Sequence, residues 1–142
     1  MVSGCLAGMP CRYDGVAKTD SGVVAEVEAG RAVPVCPELL GGLSTPRRPA
    51  EIVGGDADDV LDRRARVMDD TGEDVTTAYL AGAHRALAVA RAVGARRAVL
   101  KDRSPSCGGT ARYDGTFTGR LVDGLGVTAA LFRRAGITVS PR

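Results

Sequence analysis

Apolar and β-branched residues gather in five short runs along the chain: MVSG (1–4), AVPVC (32–36), ARVMD (65–69), RAVLK (97–101) and GITVS (136–140). Each run has the length and bias of a strand. Between several of them the spacing turns helical. SGVVAEVEAGR (21–31) predicts a short amphipathic helix closed by Gly30. DVTTAYLAGAHRALAVARAVG (74–94) is the strongest helix, with Tyr79, Ala83, Ala86, Leu87, Ala90 and Val93 recurring at helical intervals. Thr76 or Thr77 offers an N-cap there, and Gly94 is a natural residue just past its end. GVTAALFRRAG (126–136) predicts the last helix, closed by Gly136.

Strand, helix and strand in alternation predict an α/β domain with a mostly parallel sheet. Helix-to-strand turns are short, at Gly30-Arg31 and Gly94-Ala95-Arg96, whereas the strand-to-helix segments are longer and rich in Gly, Pro, Ser and Thr. In open α/β sheets function gathers at those longer loops, beyond the carboxyl ends of the strands. Segment 41–63 has no clean period and reads as a loop, with a short strand at Glu51–Val53. No linker splits the chain, so residues 1–142 form one domain. One echo stands out: CRYDG (11–15) returns as ARYDG (111–115). Asp-Gly marks a turn. The pair is either two similar turns or two turns packed around one site.

Composition narrows the classes. Charged residues make up 25% and hydrophobic residues 44%, as in an ordinary globular protein. A net charge of +2 does not argue for DNA or a membrane surface. Two Phe, three Tyr and no Trp argue against a base-stacking platform. No apolar run has the length of a membrane span. The opening MVSGCLAGMPC has no basic region before its short apolar stretch, so it does not read as a signal peptide, and the expected location is the cytoplasm. Cysteine there is more often metal-binding or catalytic than disulfide-bonded.

The four cysteines are Cys5, Cys11, Cys36 and Cys107. No C-x-x-C is present, and the single histidine, His84, lies mid-helix, so a zinc site or thioredoxin-type motif finds no support. Cys5 follows the first strand, Cys36 ends the second and Cys107 follows the RAVLK strand. Three strands thus deliver a cysteine to one edge of the sheet, each beside a small or rigid neighbour: Gly4, Pro37 and Gly108. Such an arrangement points to a metal or cluster held by the fold itself. Three thiolates leave an iron open for Lewis-acid chemistry, while a fourth from Cys11 closes the site.

Glu38, two residues past Cys36, is a candidate general acid or base, or simply a helix-terminal carboxylate. Ser104 and Ser106 flank Pro105 before Cys107, and either suits a water or an anion as well as a plain turn. No histidine base is nearby, which excludes a Ser-His-Asp triad. Arg12, Lys101 and Arg103 are cations at the same edge, suited to a phosphate or another anion.

VSGCLAGMPCRYDG, VPVCPELLGGLSTPRRPAEI, GEDVTTAYLAGA, VLKDRSPSCGG and YDGTFTGRLVDGLGVTAALFRRAGI together resemble the thiouracil desulfurase family. The resemblance runs over nearly the whole chain in the family's order. It implies a Rossmann-like α/β domain with helices on both faces of the sheet. It also implies an oxygen-sensitive 4Fe–4S cluster held by three cysteines, with one iron free for the sulfur of a thiolated uracil. The implied reaction is non-redox: water replaces sulfur on carbon and hydrogen sulfide leaves. Carried over by motif, the cluster ligands are Cys5, Cys36 and Cys107, with Cys11 the competitor of Cys5, and the catalytic groups are Glu38 and Ser104. Free thiouracil or 4-thio-UMP is the implied substrate class, and Arg12 or Lys101 suits its 5′-phosphate. SGC (3–5) stands where the family has SAC, and KDR (101–103) where it often has KEN or KER; neither change removes a reactive group.

The residues themselves leave rivals open. A cluster closed by four cysteines would suit electron transfer or sulfur carrying with a docking protein. A metal-free thiol enzyme or binding module would use Cys107 as nucleophile. A structural zinc module is disfavoured by the absence of close cysteine pairs.

Overall fold

The computed structural model describes all 142 residues. Its central sheet is parallel throughout, in the order β2-β1-β5-β8: Pro34–Val35, Val2–Ser3, Arg97–Leu100 and Thr138–Pro141. These are four of the five runs picked out by their apolar residues. Side chains alternate across the sheet as the pleat requires. Ala98 and Leu100 join Val35 and Val139 in a core under α4 (Thr76–Ala92) and α5 (Val127–Arg134). Val2 and Val99 pack on the opposite face, with Leu6 and Val23 of α1 (Ser21–Glu28). Helices therefore cover both faces, as a parallel sheet demands. Phe132 of α5 is fully buried in the first core, and burying such a side chain contributes roughly 1.5–3 kcal/mol.

The helices form where their periodicity predicts them, with shorter ends. Asp20 caps α1, its carboxylate accepting from the Val23 amide at 3.0 Å. Gly30, Gly94 and Gly136 all adopt the left-handed conformation just past a helix end. The threonine cap expected for α4 is not made. Val75 holds the N-cap position, and the Thr76 hydroxyl accepts instead from the Val67 amide at 2.9 Å, tying the helix to β4 (Arg66–Asp69). Val93, the last residue of the expected apolar stripe, is exposed.

Two corrections concern the sheet. ARVMD does not enter the parallel sheet: β4 pairs antiparallel with β3 (Ala50–Val53) as a separate two-stranded unit. A strand's existence is local, but its partner is chosen by long-range packing. Segment 41–63 is also more ordered than its sequence suggests. It holds β3 and a short helix, α3 (Ala57–Leu61), which starts with a reciprocal capping box between Asp56 and Asp59. Two further strands, β6 (Ala111–Tyr113) and β7 (Leu121–Asp123), form an antiparallel hairpin without any apolar alternation. The inward residue of β6 is Arg112, whose guanidinium donates to the carbonyls of Tyr113 at 3.1 Å and Gly55 at 3.0 Å. A helix too short to show a period, α2 (Pro37–Leu40), completes the set. No helix is long and apolar enough to cross a membrane.

Candidate active site

Strands β2, β1 and β5 lie side by side, and each ends in a cysteine-bearing segment. Cys5 sits in a single 3-10 turn, Gly4–Ala7, directly after β1. Cys36 directly follows β2 and is the N-cap of α2, with Pro37 pre-set for the first helical position. Cys107 lies in the loop after β5. The chain passes from β1 to β2 on one side and later returns across β1 to β5 and β8 on the other, which makes the carboxyl end of β1 a topological switch point. Cys11 returns to the same place. All four cysteines are free thiols; Cys5, Cys11 and Cys107 are buried and Cys36 is partly exposed. They line one cavity of about 560 Å³, together with Glu38, Ser104, Arg12 and Lys101.

The Cys36 thiol donates to the Cys11 carbonyl at 3.6 Å. The Cys11 thiol acts on its neighbours' protons: it pulls Cys5 below the usual thiol range. The Cys11 thiol, and then burial, push Cys36 well above it. The Cys36 thiol works to lower Cys11, but the Cys5 thiol and burial outweigh that and raise it. Burial pushes Cys107 up to about 11.

The loop from Lys101 to Thr110 is organised by two side chains. Ser104 Oγ accepts from the amides of Ser106 at 3.1 Å and Cys107 at 3.0 Å, which fixes the turn bearing the cysteine. Its own proton remains free to donate. Ser106, the alternative, points away from the cavity: its hydroxyl is buried against Thr128 Oγ1 at 2.9 Å. Asp102 accepts from the amides of Gly109 (2.9 Å), Thr110 (3.0 Å) and Ala111 (3.3 Å) and from the Thr110 hydroxyl (2.6 Å). Burial opposes its charge, but these bonds win and hold the carboxyl at about 2.

Glu38 lies in the first turn of α2 and faces the cavity. Its carboxylate forms a nearly water-free ion pair with Arg47 and accepts from the Tyr79 hydroxyl at 3.3 Å. The same Arg47 nitrogen donates to the Cys11 carbonyl at 2.9 Å. Neither partner was singled out in the sequence as a site residue. Arg47 sits in an unpatterned PRRP run, and Tyr79 reads as one apolar position of a helix stripe. The only hint was the closeness of Arg47 to Glu38 along the chain.

Arg12 and Lys101 both line the cavity, and Lys18 and Arg103 join them. Arg12 pairs with Asp14 at 3.2 Å, and Lys101 Nζ donates to the carbonyls of Asp102 and Arg142 at 3.2 and 3.3 Å. The two Asp-Gly turns do pack around one site, since Arg12, Tyr13 and Tyr113 share this cavity. His84 is exposed on α4 and takes no part. Aromatic residues are few, but Tyr13, Tyr79, Tyr113 and Phe117, four of the chain's five, line this one cavity.

No three of the Cys, His, Asp and Glu side chains stand close enough together to grip a single metal ion. A cluster, which presents each iron at a separate corner, needs its thiolates farther apart. An all-sulfur donor set, buried and set on strand ends, fits an iron–sulfur cluster in chemistry and placement.

An α/β protein with a thiol-lined crevice at its switch point is the class that fold and site define. The chain belongs to the 2-thiouracil desulfurase family, whose model it matches over residues 1–141. It is 48% identical over 139 residues to the uncharacterized protein YbbK of Bacillus subtilis (strain 168), covering 98% of this chain and 92% of that protein. It is similar also to a solved structure titled as a [4Fe-4S]-dependent thiouracil desulfidase, TudS, at 43% identity and a TM-score of 0.88, over 99% of this chain and 88% of that one.

Proposed function

We propose that this chain is a 4Fe–4S-dependent desulfidase that replaces the sulfur of a thiolated uracil with oxygen and releases hydrogen sulfide. The observation that carries the reading is the convergence of Cys5, Cys36 and Cys107, from three neighbouring parallel strands, on the cavity that Glu38 also lines. Those three cysteines would hold the cluster, which when bound supplies an iron open to a soft sulfur ligand. The exchange is hydrolytic and balanced: one water is consumed, carbon–sulfur gives way to carbon–oxygen, and no electrons are gained or lost.

The protein groups divide the remaining work. Arg47 holds one oxygen of Glu38 and the Tyr79 hydroxyl holds the other, so the carboxylate meets the cavity in a single orientation. An ion-paired carboxylate is an acceptor, which suits it to take the proton of the attacking water. Ser104, with the amides of Ser106 and Cys107 donating to its oxygen, keeps its hydroxyl proton for a ring oxygen or the departing sulfur. Arg12 and Lys101, with Lys18 and Arg103 beside them, give the cavity the cationic groups that a 5′-phosphate needs, so 4-thio-UMP fits as well as the free base. Four reduced thiols in one crevice fit the reducing cytoplasm.

Anaerobic reconstitution with iron and sulfide tests the reading. About four irons per chain, a broad absorption near 400 nm and sulfide release from 2-thiouracil or 4-thio-UMP are expected. A colourless protein that takes up no iron would overturn it and leave the metal-free thiol enzyme in the lead.

A further inference from the structure

The aromatic residues around the cavity are not equivalent. Tyr79 is 4% exposed and its hydroxyl is committed to Glu38. Tyr13 carries the Arg12 guanidinium over its ring, 5.7 Å from the centroid. That leaves Tyr113 on β6 and Phe117 at the tip of the β6–β7 hairpin, both lining the cavity.

Phe117 is unusual in two ways. It is 38% exposed, and its backbone lies in the left-handed region at φ 59°. A bulky residue rarely adopts that conformation, and it persists only where its surroundings enforce it. Here the enforcing group is Glu51, a carboxylate only 8% exposed on β3. Its Oε2 accepts from the amides of Gly115 at 2.8 Å and Phe117 at 3.1 Å. A buried acidic side chain thus holds the strained backbone of a partly exposed aromatic residue that lines the cavity. Core packing does not require this, because the ring is not in a core.

We propose that Phe117, with Tyr113 beside it, is the stacking wall that receives the pyrimidine ring, and that Glu51 is the positioning residue that sets it. The inference rests on the thiouracil reading and deepens it. The hairpin selects a flat heteroaromatic ring, while the reacting end of the cavity handles the sulfur. Aliphatic thioamides, which carry the same carbon–sulfur bond without the ring, are then poor substrates.

The test uses the reconstituted holoenzyme and the variants Phe117→Ala, Phe117→Leu, Phe117→Tyr and Glu51→Gln, each first matched to wild type in iron content and melting temperature. For 2-thiouracil, Phe117→Ala is expected to raise KM about tenfold with kcat changed less than about twofold, the size of one lost base–aromatic stack. Phe117→Tyr restores the wild-type KM and Phe117→Leu does not, because bulk without a π-face is insufficient. Glu51→Gln raises KM in the wild type but adds less than about twofold on top of Phe117→Ala, as expected of a group acting through that ring. Equal KM values for the Leu and Tyr variants, or no change in Phe117→Ala, would overturn the proposal. Should wild type release no sulfide from thiouracil, the desulfidase reading fails instead. Uracil binding by calorimetry then decides the wall on its own: weakened in Phe117→Ala it stands, unchanged it falls.

Discussion

Arg47 reaches Glu38 and the carbonyl of Cys11 with one guanidinium nitrogen. A single side chain thereby couples the candidate acid–base group to the backbone of the cysteine loop. Both partners of the ion pair are almost closed to water, at 7% and 13% side-chain exposure.

Removing Arg47 therefore strands a buried carboxylate. Arg47→Ala is expected to cost about 3 kcal/mol of stability, as breaking one side of a buried pair does. The rate should fall by roughly a hundredfold, the lower end of what a positioned acid–base group supplies. Arg47→Lys keeps the charge without the planar fork. It should recover most of the stability and only part of the rate. Urea midpoints and sulfide-release rates measured side by side check both halves.

Cys11 separates the open site from the closed one. Its carbonyl accepts from the Cys36 thiol at 3.6 Å and it lines the same cavity as Cys5 and Cys36, so a fourth ligand is within the fold's reach. In the open-site reading Cys11→Ser retains about four irons and most of its turnover, while Cys5→Ser, Cys36→Ser and Cys107→Ser lose the cluster. Loss of iron in Cys11→Ser would favour the closed, electron-transfer reading. Iron counts and visible spectra of the four variants give the answer.

Helix α2, which carries Glu38, lies against α4 through two glycines. A Cβ on Gly82 would run into the Pro37 carbonyl, and one on Gly41 into the Ala78 carbonyl. Both obstacles are backbone and cannot swing aside. Gly82→Ala is expected to destabilise by about 1–3 kcal/mol. It should also weaken iron retention, because the displaced turn bears Cys36 at its start. Thermal melts and iron content should fall together. A variant with wild-type iron and a lowered melt would uncouple the helix contact from the site.

Asp102 predicts a pH dependence. Its folded value of about 2 lies below the ordinary 3.8, so ionised Asp102 stabilises the fold. That contribution is fully present above about pH 4 and is lost as pH falls toward 2. Asp102→Asn has no such titration. The urea midpoint of wild type should exceed that of the variant near pH 5, and the gap should close between pH 4 and 2. A constant gap would show that the loop does not depend on this charge.

Some of this was legible in residues alone. Four strands of the parallel sheet, the three long helices and their glycine ends follow from periodicity and turn chemistry, which are local properties of a chain. The placing of Cys5, Cys36 and Cys107 at strand ends, and so on one edge, also follows, because a parallel sheet aligns all its carboxyl ends. That Glu38 and Ser104 line the same cavity was within reach because they neighbour those cysteines.

Partner choice was not legible. The antiparallel pairing of β3 with β4, the bond of Arg47 to Glu38, the turning of Ser106 toward Thr128 and the pinning of Phe117 by Glu51 join residues distant along the chain or unmarked by any pattern. The β6–β7 hairpin was hidden for a related reason: its inward side chain is an arginine, and apolar alternation cannot reveal a buried polar residue. The sequence by itself determined which elements form and where the thiols emerge, since a few neighbouring residues decide each. Only the tertiary structure decided which polar group answers which and which rings face the cavity, because those partners meet only once the chain has packed.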